Sequence, residues 1–139
     1  MKKFEFRLQK VLEYRQAMEN WAQEAYLETR VARLEAEAVL SGVDERRKEC
    51  LHRKADTLEA RQLLEITLQS LDDDEKAQIL VIDVLKTEEE KALNVWQEKK
   101  RELETIVKLR DKSYEDWKLE ETRREQAELD EWAVLRRGA

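Results

Sequence analysis

Apolar residues recur along this chain at alternating steps of four and three residues, which is the spacing of a coiled-coil seam. The first such series contains Phe4, Leu8, Val11, Arg15, Met18, Ala22, Ala25, Thr29, Ala32, Ala36, Val39, Val43, Arg46 and Cys50. Its polar members are Arg15, Thr29 and Arg46. The series keeps its phase through Gly42, so we interpret this glycine as an interior residue of one long helix.

A second, weaker series follows after a gap. It contains Leu64, Leu68, Leu71, Glu75, Gln78, Ile82, Leu85, Glu89, Ala92, Trp96, Lys99, Leu103, Ile106, Arg110, Ser113 and Trp117. It crosses the three aspartates at 72–74 in phase, which argues against a turn there. The chain has no proline and two glycines, so it has few residues that favour chain reversals. We therefore predict an all-α fold in which two long helices form an antiparallel coiled-coil hairpin.

The reversal is expected between residues 51 and 57, where both series fail. Asp56 and Glu59 have the spacing of a capping box, which starts a helix. Arg53 and Lys54 suit the end of the preceding helix, where cations interact favourably with the helix dipole. The sequence thus predicts a single hairpin over residues 1–139, with helix 1 at about 4–51, a turn at about 52–56 and helix 2 at about 57–135.

A reversal at residue 53 or 54 also predicts a helix register. It places Phe4 opposite Leu103 and Val11 opposite Trp96, and in the seam it sets small residues against large ones. A shift of one heptad is equally compatible with the seam. In either register the paired arms are roughly 75 Å long, and residues beyond about 103–110 form a C-terminal overhang without a partner in the chain.

The sequence offers no pattern for catalysis or for a cofactor. It contains no glycine-rich phosphate loop, and its one histidine and one cysteine cannot complete a metal site. An isoelectric point of about 5.1 argues against nucleic-acid binding. The apolar run at 79–82 is too short to insert in a membrane, and a lone cysteine suits a reducing cytosol. We expect a cytoplasmic protein that is not an enzyme and has no cofactor.

Two apolar stretches are candidates for partner binding. The overhang carries Trp117 and Trp132, and a stripe of this kind left in water usually marks an interaction site; folding back or self-association is the alternative. Residues 79–85 are apolar nearly all round the helix, so this stretch is either a second interaction site or a tightly packed one.

Three segments resemble the FliJ family, a component of the bacterial flagellar export apparatus. They are FEFRLQKVLEYR at 4–15, ALNVWQEKKREL at 92–103 and EQAELDEWA at 125–133. Each segment is weak evidence alone, but their order and the chain length make the match fairly specific. The chain departs from the family near the reversal: many members have a glycine there, and Leu64 and Leu68 stand where aromatic residues are common.

The resemblance implies a non-enzymatic stalk that binds the hexameric export ATPase FliI, links it to the export gate FlhA and handles export chaperones, at the cytoplasmic side of the inner membrane. It places the ATPase contact at the end that holds both termini, with candidates Phe4, Phe6, Arg7, Trp117, Leu129 and Trp132. The gate contact is expected at the hairpin tip, with candidates Leu40, Leu63, Leu64, Ile66, Leu68 and Leu71. Of these, Leu40, Leu63 and Ile66 lie beside the seam, at positions that the hairpin does not need to bury.

Two other functions remain compatible with the sequence. An equivalent stalk in a virulence-type secretion system would have the same shape. A homodimeric coiled-coil spacer would use the same heptads between chains, and a monomeric rod in solution would weigh against it.

Overall fold

The computed structural model describes residues 2–138 and contains two long helices, α1 (Gln9–His52) and α2 (Leu58–Arg137). They pack against each other as an antiparallel hairpin, which confirms the predicted fold class. Both helices continue where the unbroken heptad phase predicts, α1 through Gly42 and α2 through the aspartates at 72–74. Helical periodicity was therefore a better guide than local turn propensity.

The chain forms two compact units, each of which pairs part of α1 with part of α2. Residues 21–97 make up one unit, which contains the reversal, and residues 1–20 with 98–139 make up the other. In the first unit, Val43, Cys50 and Leu71 form a buried cluster against which Leu64 and Leu68 pack. In the second, Ile106 is buried, and Nη1 of Arg15 donates a hydrogen bond to the carbonyl of Glu102 at 2.9 Å.

The reversal occupies residues 53–57, close to the expected place, but a different residue caps α2. The hydroxyl of Thr57 accepts a hydrogen bond from the backbone N–H of Ala60 at 3.1 Å. This is the contact between an N-cap side chain and the third residue of the helix, and it satisfies one of the free N–H groups of the first turn. The expected cap, Asp56, lies one residue too early.

Helix α1 begins at Gln9 and not near residue 4 as expected. Residues 2–6 have no regular structure, and the N–H of Gln9 bonds to the carbonyl of Phe6 at 3.1 Å. The ring of Phe4 packs on Tyr114 and Trp117. Burying this ring stabilises the irregular segment, whereas an added helical turn would lack a side-chain cap.

The seam of α1 within residues 21–97 differs from the prediction at alternate positions. Its predicted members Val39 and Arg46 are exposed, and their neighbours Leu40 and Arg47 are half-buried instead. The shared members Ala22, Ala36, Val43 and Cys50 are buried as expected. Arg47 takes the inward position because it pairs with Glu75 on α2. Leu40 therefore belongs to the seam, contrary to the expectation that it lies beside it.

The register also differs from the one built on a symmetric reversal. The carbonyl of Ala36 accepts a hydrogen bond from Nε2 of Gln78 at 2.9 Å, one heptad beyond the expected partner Leu71. Trp96, expected opposite Val11, stacks on Tyr26 with ring centroids 5.4 Å apart.

Gly42 gives a direct test of the helix interior. A methyl group on its Cα would meet no atom within 4 Å beyond the adjoining backbone of its own helix. We expect Gly42→Ala to raise the free energy of unfolding by about 1 kcal/mol, because alanine restricts the unfolded backbone and favours the helix. Urea denaturation followed by circular dichroism measures this change. An unchanged or lower stability would mean that the glycine serves a purpose other than helix continuity.

Candidate interaction surfaces

Among the described residues, the candidate sites are exposed apolar surfaces. Within residues 2–138, no group of three histidine, cysteine or acidic side chains could hold a metal ion. Cys50 is buried in the seam and His52 is exposed at the last residue of α1. No helix in the part of the chain that the structure describes is long and apolar enough to cross a membrane.

Aromatic rings from the N-terminal segment and α2 pack together. Phe4 meets Tyr114 edge-on with ring centroids 5.3 Å apart, and its centroid is 5.8 Å from that of Trp117. Nζ of Lys118 lies 5.2 Å from the centre of the Tyr114 ring. Phe4 and Trp117 are therefore half-buried against each other. This corrects the expectation that Trp117 lies in the unpaired overhang and that Phe4 faces Leu103.

The other candidates near the N terminus line a surface cleft. Half-buried Phe6 and exposed Arg7 share this cleft with Leu109 and Ser113 of α2. Arg7 is the candidate of this segment whose side chain is most available to a partner.

An apolar surface without an intramolecular partner lies near the end of α2. Leu129 is 61% exposed and Trp132 is 60% exposed. They are three residues apart, on one face of the helix, and line a shallow cleft with Glu125 and Glu128. The guanidinium of Arg136 lies 5.0 Å from the centre of the Trp132 ring, a cation–π contact. We call Leu129 and Trp132 the C-terminal surface.

The six candidates near the reversal fall into two groups. Leu71 is buried, and Leu40, Leu64 and Leu68 are half-buried, so these four side chains pack within the hairpin. Leu63 and Ile66 are 66% and 68% exposed and lie three residues apart. We call Leu63 and Ile66 the tip surface, because they lie near the reversal. Since both are exposed, they can be changed with little effect on the core.

Several exposed apolar residues escaped the sequence reasoning. Leu51 and Leu58 flank the reversal, and Leu27, Val31 and Leu34 form a stripe on α1. The stripe could have been found from its four-and-three spacing, which runs parallel to the seam. The apolar run near residue 80 divides between two environments: Ile82 is buried in the seam and Leu80 is exposed.

Comparison with known proteins gives a family and no individual relative. A comparison with curated proteins and one with solved structures gave no match. The family model described as Flagellar FliJ protein matches residues 4–138, nearly the whole chain. Together with the hairpin of two long helices, this match shows that the chain belongs to the FliJ family, a non-catalytic component of the flagellar export apparatus.

Proposed function

We propose that the protein is a stalk of the flagellar export apparatus that binds the FliI ATPase ring, links it to the export gate FlhA and escorts export chaperones. In this proposal it is cytoplasmic, peripheral at the inner-membrane export apparatus, and acts by binding alone. Family membership supports a role in the flagellar export apparatus. The exposed apolar surfaces support a role in binding partner proteins.

The observation that carries the proposal is the presence of two exposed apolar surfaces that the hairpin core does not use. The tip surface, Leu63 and Ile66, belongs to the unit of residues 21–97. The C-terminal surface, Leu129 and Trp132, belongs to the other unit. Neighbouring exposed apolar side chains favour binding to a protein partner. Two such surfaces allow the protein to bind two partners. We assign the C-terminal surface to the ATPase and the tip surface to the gate.

Two alternatives are less well supported. The matching family model is flagellar, which favours a flagellar role over a virulence-type stalk. A homodimeric spacer needs the heptad seam for pairing between chains, whereas here α1 and α2 of one chain fill it. Light scattering of the purified protein tests the spacer directly, because that function requires a dimer.

The tip surface can be tested without disturbing the seam. We expect Leu63→Glu with Ile66→Glu to weaken binding to the export gate about 30-fold or more, since losing an anchor residue at the centre of an interface costs about 2 kcal/mol or more. Stimulation of the ATPase should be unchanged. Glutamate is a good helix former, so the helicity should also be kept.

The matched control for this variant is Leu119→Glu, which alters an exposed leucine on α2 outside the tip surface and outside the apolar run at 79–85. Binding is measured by titrating the gate's cytoplasmic part with each purified variant, and helicity by circular dichroism. Full gate binding by the double variant would refute the assignment of the tip surface. An equal loss with Leu119→Glu would mean that the effect is not local.

A further inference from the structure

Two arginines of α1 occupy seam positions between the helices of residues 21–97. Arg33 and Arg47 are two heptads apart, and each forms an ion pair with a glutamate in the seam of α2. Their partners Glu89 and Glu75 are also two heptads apart, in the opposite direction along the chain, as an antiparallel pair requires. Both ion pairs can therefore form together in one register.

The Arg33 pair is largely enclosed by the helix interface. Its guanidinium donates through Nε to Oε2 of Glu89 and through Nη2 to Oε1 at 3.4 Å. A third bond runs from Nη1 to Oε1 of Glu37 at 3.0 Å. The side chains of Arg33 and Glu89 are 21% and 14% exposed. The hydrogen bond to Glu89, followed by that to Glu37, raises the pKa of Arg33.

The Arg47 pair repeats this arrangement nearer the reversal. Nη2 of Arg47 bonds to Oε2 of Glu75 and lies 3.6 Å from Oδ1 of Asp72. Asp44 adds a third carboxylate at 3.8 Å from Nη1. The hydrogen bond to Glu75 is the main reason that the pKa of Arg47 is raised.

The apolar part of the seam does not by itself select the register. If α2 slid by one heptad, Ala36 would face Leu71 and Val43 would face Leu64, which again sets a small residue against a large one. The reversal at 53–57 contains no glycine or proline that would fix its position. Another feature must therefore exclude the slid pairings.

The arginines penalise a slide in either direction. A slide of one heptad moves Arg33 from Glu89 to Ile82 or to Trp96. It moves Arg47 from Glu75 to Leu68 or to Ile82. Each guanidinium would then face an apolar seam residue, and each glutamate would lose its cation. The carboxylates of Glu37 and Asp44 on α1 would remain beside the arginines. Glu75 and Glu89, however, would be half-buried without a cation, which is destabilising.

We propose that Arg33–Glu89 and Arg47–Glu75 form a register lock, which selects the observed pairing of α1 and α2 over pairings displaced by one heptad. The lock contributes specificity and little net stability, because the attraction within a half-buried ion pair is largely offset by the desolvation of its charges. It also determines which side chains near the reversal are buried, since a slide would replace the neighbours of Val43 and Cys50.

Distances between spin labels on exposed positions test the lock. Labels on Glu45→Cys and Glu90→Cys, in a Cys50→Ala background, lie on α1 and α2 within the same unit. Changing Arg33, Arg47, Glu75 and Glu89 together to methionine keeps the seam filled and removes the charges. We expect retained helicity and a second population of distances, because a one-heptad slide displaces the helices by about 10 Å. A single unshifted distance would overturn the proposal.

A second variant tests the proposal even if the methionine variant fails to fold. In it, the two glutamates of α2 are moved by one heptad. Exchanging the glutamates with the apolar residues one heptad nearer the reversal gives Glu75→Leu, Leu68→Glu, Glu89→Ile and Ile82→Glu. The arginines then meet glutamates only after a slide, which we expect to lengthen the label distance by up to about 10 Å. Retention of the original distance would refute the lock. The control pair Arg124→Met with Glu121→Met, an ion pair within α2, should leave the distance unchanged.

Discussion

Replacing Leu129 and Trp132 by aspartate is expected to abolish stimulation of the export ATPase while α1 and α2 remain folded. Both residues are exposed, so neither contributes to the core. In a complex, the aspartates would bring unpaired carboxylates into an apolar contact, and each such group costs about 1–3 kcal/mol. The change also removes the ring on which Arg136 lies. Two such groups together cost about 2–6 kcal/mol of binding free energy, which weakens binding by a factor of about 30 to 10,000.

The measurement is the ATPase rate of the purified export ATPase at increasing concentrations of each variant, with helicity followed by circular dichroism. Leu119→Asp is the matched control, because Leu119 is a similarly exposed leucine on α2 outside the C-terminal surface. The control allows for the cost of an aspartate in a helix, about 0.5–0.7 kcal/mol relative to alanine. Undiminished stimulation by the double variant would remove the C-terminal surface from the mechanism.

The sequence predicts the hairpin well because the heptad spacing of apolar residues is continuous along each helix. Heptad spacing extends through Gly42 and the aspartates at 72–74, and both helices follow it. The buried residues Ala36, Leu71 and Ile82 were all predicted seam members. Burial of apolar surface is roughly proportional to area and needs no directional contacts, so spacing alone is enough to identify these positions.

The register and the position of single polar residues were not predictable in this way. Arg46 and Arg47 are adjacent arginines, and Arg47 is the one that faces α2, where the carboxylates of Glu75 and Asp72 lie beside its guanidinium. Likewise, Asp56 and Thr57 are both good N-cap residues, and the one that caps is fixed by where the helix begins. Such choices depend on the partner helix, which spacing within a single helix does not describe.

The same difficulty affected the candidate site. The exposure of Leu63 and Ile66 followed from their places beside the seam, because the α2 series was correctly phased. Leu40 was misplaced because alternate positions of the α1 series were displaced by one residue. Trp117 was assigned to the overhang because the register was taken from a symmetric reversal, whereas it packs on Phe4. Errors in pairing therefore became errors in exposure.

A second large effect is expected on stability, from a change in the seam within the unit of residues 21–97. Ile82→Ala is expected to lower the free energy of unfolding by about 2–5 kcal/mol, because Ile82 is 6% exposed and its truncation leaves a cavity that the neighbouring side chains only partly fill. Leu80→Ala, two residues away and 67% exposed, should change the stability by less than about 0.5 kcal/mol. Urea denaturation followed by circular dichroism gives both values under the same conditions. Equal losses for the two variants would mean that Leu80 is also buried in solution, and a small loss for Ile82→Ala would place the interface of α1 and α2 on another face of α2.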